Sequence, residues 1–154
     1  MRERVRDGGG FGEVAAYSRA VRYGPHIAVS GTAPLAEGRV LHPGDSFLQT
    51  QAAIQKALDA AAELGAVRDD VVRTRLLLAP ECDWKDAARA HAEAFAGVDP
   101  ANTTYYVGGL IHEGALVEVE LDAIVEPRQR SVTFGSSRSD RPVPSYALRP
   151  MSST

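Results

Sequence analysis

Three carboxylates, Glu118, Glu120 and Asp122, alternate with apolar residues between positions 116 and 125. Successive side chains of a β-strand point to opposite faces, so this alternation places all three carboxylates on one face. A carboxylate in a partly desolvated cleft can transfer a proton or hold a water molecule. A solvated sheet face would show the same pattern. We take Glu118 and Glu120 as candidate catalytic residues, with a solvated face as the alternative.

Two arginines, Arg73 and Arg75, similarly share one face of the apolar stretch over residues 71–78. Paired guanidinium groups can bind a carboxylate ligand through parallel hydrogen bonds. The alternative is cross-strand pairing with the carboxylates just described, which would neutralise both sets of charges. Both interpretations stay open, and we take Arg75 as a candidate substrate-binding residue.

Other common catalytic chemistries lack support in the sequence. The histidines stand at scattered positions without metal-ligand spacing: His26, His42, His91 and His112. His91 falls on the apolar stripe of a predicted helix, which favours a structural role. Ser30 lacks the Gly-x-Ser-x-Gly surroundings of a serine hydrolase nucleophile. Cys82 is the single cysteine, which excludes an internal disulfide or a cysteine metal cluster.

The composition is that of an ordinary globular domain. The chain has 154 residues, which suits one domain, and 44% of them are apolar. The net charge of −3 and the lack of a dense basic block give no reason to expect nucleic acid. No apolar run reaches the roughly 18 residues that span a bilayer, and the charged N-terminus lacks the apolar stretch of a signal peptide. We expect a cytoplasmic protein with no membrane partner.

Hydrophobic periodicity predicts an α+β domain with the element order β-β-β-α-β-α-β-β. The predicted strands span residues 17–23, 26–30, 39–41, 71–78, 102–110 and 116–125. The first helix is predicted to begin at Ser46, with Gln49 completing a capping box, and the second follows Asp83. Two helices of this length beside short strands indicate two layers, with about six strands covered on one face.

The two ends of the chain differ from this domain in composition. Residues 1–13 are charged and rich in glycine, which predicts a flexible N-terminal segment. Residues 126–154 are rich in Ser, Arg and Pro, which predicts an extension without a core of its own. The folded domain is therefore expected over residues 14–125.

Six motifs, taken together and in order, make the chain similar to the Rid family, also called YjgF/UK114. The motifs are Tyr17-Ser-Arg-Ala-Val, Ile27-Ala-Val-Ser-Gly-Thr, Asp70-Val-Val-Arg-Thr-Arg, Arg89-Ala-His-Ala-Glu-Ala-Phe, Pro100-Ala and Leu116-Val-Glu-Val-Glu. Each motif alone is weak, but the ordered set is strong and runs from Tyr17 to Val125 with normal spacing.

The resemblance implies a chorismate-mutase-like fold and a homotrimeric barrel with ligand clefts between neighbouring subunits. Well-known members hydrolyse reactive enamines and imines, such as 2-aminoacrylate, to a keto acid and ammonia without metal or organic cofactor. Their pocket uses a tyrosine, a Ser-Gly pair and a carboxylate of the last strand. These match Tyr17, Ser30, Gly31 and Glu118 here.

The chain departs from those members at the arginine that anchors the substrate carboxylate directly after Pro-Ala. Asn102 stands there, and an amide supplies neither positive charge nor a two-pronged contact. Arg89 stands where the deaminases carry an asparagine, and Tyr105 is bulkier than the usual residue of the next strand. We take Asn102, Thr104, Tyr105 and Arg89 as candidate substrate-binding residues of a pocket that suits a larger ligand.

Three functions are compatible with these residues. The first is a divergent Rid-type enzyme acting on a reactive imine, enamine or related carbonyl intermediate in specialised metabolism, with little activity on 2-aminoacrylate. The second is a conventional deaminase in which Arg89 or Arg75 replaces the missing arginine. The third is a non-catalytic trimer that binds a small metabolite or a protein partner.

Overall fold

The computed structural model describes residues 1–8 and 10–126, which build a six-stranded mixed sheet. Its strands are β1 (Arg2–Val5), β2 (Ala20–Tyr23), β3 (His26–Thr32), β6 (Val71–Leu78), β7 (Ala101–Tyr106) and β8 (Val117–Ile124). The spatial order is β1-β2-β3-β8-β6-β7, and only the β6–β7 pair is parallel. A separate hairpin consists of β4 (Leu35–Ala36) and β5 (Arg39–Val40).

Helices cover one face of this sheet. The short helix α1 (Phe11–Val14) precedes β2, and the two long helices are α2 (Ser46–Ala62) and α3 (Trp84–Phe95). The core lies between the sheet and the long helices, where Ile54 of α2 and Phe95 of α3 are buried with Leu76 of β6. The predicted α+β class, with a six-stranded sheet and two main helices on one face, is confirmed.

β8 lies at the centre of the sheet, between β3 and β6. Its apolar residues are almost completely buried: Val117, Val119, Leu121 and Ala123. The carboxylates that alternate with them therefore project to the uncovered face, as the period-two pattern predicts. In the register with β6, Glu120 lies opposite Arg75 and Glu118 lies opposite Leu77.

The N-terminal part of the chain differs from the prediction. Residues 1–13 were expected to be flexible, but Arg2–Val5 pairs with β2 as an edge strand and Phe11–Val14 forms α1. Backbone pairing does not require apolar side chains, so a charged sequence can serve at a sheet edge, where charge also discourages further pairing. β2 begins at Ala20 instead of residue 17. The predicted extension over 126–154 lies, from residue 127 onward, outside the described residues.

The start of α2 also differs from the predicted capping box. Asp45 is the N-cap, and its side chain accepts a hydrogen bond from Leu48 N at 2.8 Å. The Gln49 amide is instead buried in the core. Its nitrogen donates to the carbonyls of His42 and Gly114, and its oxygen accepts from Leu116 N at 2.8 Å. Gln49 thus ties α2 to the loop that leads into β8.

None of the helices in the described residues has the length and apolar character needed to cross a membrane.

Replacing Gln49 with Leu is expected to lower the free energy of unfolding by about 2–4 kcal/mol, because three backbone groups in part-buried hydrogen bonds would lose the buried Gln49 amide as their partner. Guanidinium denaturation at one fixed protein concentration measures this change. Gln51→Leu is the matched control, since Gln51 is an exposed residue two positions further along the same helix. A similar loss in both variants would contradict the role assigned to the buried amide.

Candidate functional site

A cavity of about 750 Å³ lies where the N-terminal segment, the end of β3 and the uncovered face of β8 meet. Five of the ten site residues predicted from sequence line it: Tyr17, Ser30, Gly31, Glu118 and Glu120. Ser30 and Gly31 of β3 are far in the chain from Glu118 and Glu120 of β8, and the antiparallel pairing of the two strands brings them together. The register of that pair shifts between Val29 and Thr32, which is where Ser30 and Gly31 stand.

The Glu118 carboxylate lies directly against the backbone at Gly31. A Cβ atom placed on Gly31 would stand 2.7 Å from Glu118 Oε2, which is shorter than any normal contact. The absence of a side chain at Gly31 therefore leaves the space that the carboxylate occupies. The Ser-Gly pair after the second strand and the carboxylate of the last strand are thus parts of one packing arrangement.

The three carboxylates of β8 differ in how their charge is compensated. Arg75 Nη1 lies 3.3 Å from Glu120 Oε2 and 3.6 Å from Asp122 Oδ2. Glu118 has no arginine or lysine within salt-bridge distance in the described residues. Burial raises the pKa of Glu118, and only the more distant charges of His112 and Arg19 oppose that effect. Glu118 is thus the carboxylate of this face that has a raised pKa and no salt bridge within the described residues.

Tyr17 reaches the cavity because the chain turns sharply after α1. Ala16 adopts φ 54°, a left-handed conformation, and Tyr17 N donates to Gly12 O at 3.1 Å. The Tyr17 ring contacts Phe11 edge-on at 5.7 Å between centroids. Burial, followed by the hydrogen bond to Asp7, raises the pKa of the Tyr17 hydroxyl. Tyr17 therefore remains a neutral hydrogen-bonding group.

Ser30 is hydrogen-bonded to the backbone of the segment before β2. Its hydroxyl donates to Ser18 O at 2.7 Å, and its own N–H donates to Arg19 O at 3.0 Å. These bonds join β3 to the segment that enters β2. The hydroxyl oxygen keeps its capacity to accept a hydrogen bond from a molecule in the cavity.

Arg19 is a cavity residue that sequence reasoning missed. Its Nη1 donates to Gly31 O at 2.8 Å, and its Nη2 donates to Asp7 Oδ1 at 2.8 Å and to the Tyr17 hydroxyl at 3.1 Å. The sequence held one signal, because Arg19 follows Tyr17 by two positions and an extended chain would point both the same way. The contacts with Asp7 and Gly31, each 12 positions away, had no sequence signal.

Two further basic groups line the cavity. Lys56 of α2 donates to Leu35 O, and burial together with the charge of Arg19 lowers the pKa of its ammonium group. His112 belongs to the loop before β8 and faces the same space as Glu118. Across the described residues, no group of three His, Cys, Asp or Glu side chains has the geometry to hold a metal ion.

The two arginines proposed as replacements lie outside this cavity. Arg75 is occupied by its carboxylate neighbours on β8. Arg89 lies on the outer surface of α3, where its guanidinium stacks 3.8 Å from the Phe47 ring centroid and pairs with Asp86 at 3.0 Å. Cross-strand pairing is therefore the arrangement observed for Arg75, and a surface ion pair is the one observed for Arg89.

The β7 candidates also lie away from the cavity of their own chain. Asn102 Nδ2 donates to Thr74 Oγ1 at 3.0 Å, and Thr104 donates to Asn102 Oδ1 at 2.8 Å. Thr74 Oγ1 also contacts His91 Nε2 at 2.8 Å, and burial lowers the pKa of that imidazole, as expected for a structural histidine. Tyr105 is 43% exposed on the edge strand.

The raised pKa of Glu118 gives an expectation for stability. The folded protein holds this proton to higher pH than the unfolded chain, so its contribution to stability falls as pH rises through the folded pKa. Glu118→Gln should therefore unfold at a higher temperature than the wild type near neutral pH, with the difference vanishing well below pH 4.5. Thermal unfolding over a pH series measures this. Glu120→Gln is the matched control and should show no rise in unfolding temperature, since this variant loses the salt bridge with Arg75.

Comparison with known proteins places this geometry in a family. The family model described as Endoribonuclease L-PSP matches residues 11–125. Protein SCO2049 of Streptomyces coelicolor is 37% identical over 120 residues, which cover 78% of this chain and 90% of that protein. Escherichia coli TdcF, solved with bound serine, has a TM-score of 0.64 at 17% identity over 71% of this chain and 88% of its own, and shows the shared fold.

The solved structure of Rv2704 from Mycobacterium tuberculosis is described as a member of the YjgF/YER057c/UK114 family. It is 36% identical, with a TM-score of 0.73, and the match covers 81% of this chain and 100% of that one. The resemblance drawn from the six sequence motifs is thereby confirmed. The chain belongs to the Endoribonuclease L-PSP family, also called the YjgF/YER057c/UK114 or Rid family.

Proposed function

We propose that this protein is a divergent, cofactor-independent Rid-type enzyme that acts on a reactive imine, enamine or related carbonyl intermediate. The observation that carries the proposal is the state of Glu118. It is the one β8 carboxylate without a salt-bridge partner in the described residues, it lines the cavity, and burial raises its pKa. A carboxyl group with a pKa nearer to neutrality can both accept and return a proton.

Hydrolysis of a protonated imine needs successive proton transfers at one place. Water adds to the C=N carbon while Glu118 accepts one proton from that water, which gives a neutral carbinolamine. Glu118 then returns this proton to the nitrogen, and the C–N bond breaks as the hydroxyl group gives its proton to Glu118, which releases ammonia and the carbonyl product. Tyr17 offers a neutral hydroxyl beside this carboxylate, and Ser30, whose hydrogen is used by Ser18 O, is expected to accept from the ligand.

Several observations disfavour conventional 2-aminoacrylate deamination. Asn102 carries no positive charge and bonds Thr74. Arg75 is paired with two carboxylates, and Arg89 stacks on Phe47 at the outer surface. None of these residues supplies a free guanidinium to the cavity of its own chain, so a small substrate carboxylate would lose a charge-assisted contact.

A small ligand suits the cavity better than RNA does, although the family model carries the name endoribonuclease. Polyphosphate backbones are bound by clustered Lys and Arg. The chain has a net charge of −3, and its cavity contains Asp7, Glu37, Glu118 and Glu120 beside its basic groups. The serine bound in TdcF, a relative by fold, is consistent with a ligand of amino-acid size.

The assembly that we propose is a homotrimer, with clefts between subunits. β7 is an exposed edge strand along its whole length, and large exposed side chains stand on it at Tyr105 and Tyr106 and on the neighbouring β6 at Val72. An open edge of this kind invites pairing with another chain. A neighbouring subunit that covers this edge would also bring its own side chains toward the cleft.

Light scattering is expected to give about three times the 16.4 kDa mass of one chain. The trimer should persist at micromolar concentration because covering the β7 edge removes apolar surface from water. A monomeric mass at that concentration would contradict a cleft formed between subunits.

The enzymatic proposal is tested with imines made in situ. A serine dehydratase supplies 2-aminoacrylate, and an amino-acid oxidase supplies imino acids with larger side chains. We expect weak or absent acceleration of keto-acid formation with 2-aminoacrylate and clear acceleration with larger imines. Asn102→Arg alone should not fully restore the small-substrate activity, because the bulkier Tyr105 remains.

Glu118→Gln should reduce turnover of the larger imines by at least about a hundredfold, the usual contribution of a general acid–base. Glu93→Gln on the outer surface of α3 is the control and should turn over normally. Wild-type turnover in the Glu118 variant would move the role to Glu120 or exclude carboxylate catalysis. Failure to accelerate any imine would favour a non-catalytic binding trimer, and activity equal to an arginine-bearing relative would favour the conventional deaminase.

A further inference from the structure

The Arg19 guanidinium is held rigidly at the cavity wall. Its Nη1 is bonded to Gly31 O and lies 3.3 Å from Thr32 Oγ1, so one side of the group is fixed to β3. Its Nη2 points to the N-terminal segment, and the side chain remains 23% exposed. In the described residues, Nε has no hydrogen-bond partner. A fixed guanidinium with Nε and Nη2 directed to one side has the shape that binds a carboxylate through two parallel hydrogen bonds.

A carboxylate of the chain itself already occupies part of this position. Asp7 Oδ1 lies 2.8 Å from Arg19 Nη2, the one guanidinium nitrogen that it contacts, and the carboxylate also accepts hydrogen bonds from Tyr17 and from the Gly12 backbone. The hydrogen bond from Arg19 is the main reason that the pKa of Asp7 is lowered, so the group is charged. Asp7 stands between the end of β1 and the start of α1, in a stretch that contains Gly8 and Gly10.

Asp7 is also held by a close approach to α1. A Cβ atom on Gly12 would lie 3.0 Å from Asp7 Cβ and 3.2 Å from Tyr17 O. Asp7 can therefore take its position because Gly12 has no side chain. The segment carrying Asp7 is otherwise largely exposed. The internal carboxylate is thus placed over Arg19 by a short stretch of chain with few buried contacts, which is the kind of segment that can be displaced.

We propose that Arg19 is the anchor for a carboxylate-bearing ligand and that Asp7 is an internal carboxylate that occupies the anchor until the ligand displaces it. This inference rests on the proposed function, because it names the substrate class of the same cavity: a small molecule with a carboxylate near its reacting carbon. An incoming carboxylate can bind Nε and Nη2 together, whereas Asp7 uses Nη2 alone. This anchor stands directly before β2, at a place different from that of Asn102 on β7.

Displacement of Asp7 has a measurable consequence for affinity. Pyruvate is the probe, and pyruvamide, which has the same size but no charge, is its neutral counterpart. In Asp7→Asn the competing charge is removed, so pyruvate should bind about tenfold more tightly than to the wild type, the usual scale of one charge-assisted hydrogen bond. Pyruvamide affinity should not change. Titration followed by amide chemical shifts gives both dissociation constants.

Asp86→Asn is the matched control variant. It also removes one negative charge and breaks an Asp–Arg ion pair, that with Arg89 at 3.0 Å, but outside the cavity. Pyruvate affinity should be unaltered in it. Adding Arg19→Lys to Asp7→Asn should abolish the increase in pyruvate affinity, because an ammonium group retains the charge and lacks the two-pronged geometry.

A second variant tests the same inference if the Asp7→Asn protein does not fold. Gly12→Ala keeps every charge but crowds Asp7 away from its position, and it should tighten pyruvate binding in the same direction. Unchanged pyruvate affinity in folded Asp7→Asn, or equal tightening for pyruvamide or in Asp86→Asn, would overturn the inference. Binding of neither probe in any variant would overturn it as well. Imine turnover that depends on Glu118 is measured separately, so the proposed function stands or fails on its own result.

Discussion

The central position of β8 is the constraint on which the site depends. Its apolar face is buried beneath α2, and the pleat then forces its three carboxylates onto the opposite face. Neighbouring carboxylates without compensation would destabilise the sheet, and the register with β6 places Arg75 where it can compensate two of them. Glu118 is left beside Gly31 at the cavity, with its proton held more tightly. The same register that stabilises the sheet therefore leaves one carboxylate available for chemistry.

The rest of the cavity is organised by long-range polar contacts. Gln49 fixes the loop that leads into β8, and with it the approach of Glu118. Arg19 joins the end of β3 to the N-terminal segment through Gly31 and Asp7. Each of these side chains satisfies backbone groups that would otherwise be unpaired in a partly buried region. Arg19 thus both stabilises this part of the fold and lines the cavity.

The fold was largely predictable, and the site only in part. Alternation and helical periodicity are local properties, so five of the six strands of the sheet, the two long helices and the acidic face of β8 followed from the pattern. The other predicted strand, over residues 39–41, belongs to the separate β4–β5 hairpin. The errors lie where local sequence is a poor guide. The charged β1 was missed because an edge strand needs backbone pairing and no apolar side chains. The cap of α2 is Asp45, one position before the predicted Ser46, and Gln49, the predicted partner of that cap, is a core amide.

By itself, the sequence determined which residues share a face of β8 and the family to which the chain belongs. Through the family resemblance, it also gave Tyr17, Ser30, Gly31 and Glu118 as candidate site residues. Only the tertiary structure decided which carboxylate is neutralised, that Arg89 stacks on Phe47 away from the cavity, and that Arg19 meets Asp7. The physical reason is the separation along the chain of the residues that fix each feature. Side-chain direction follows from the backbone period of a single element, whereas the partner of a charge depends on strand register and on how distant segments pack against each other.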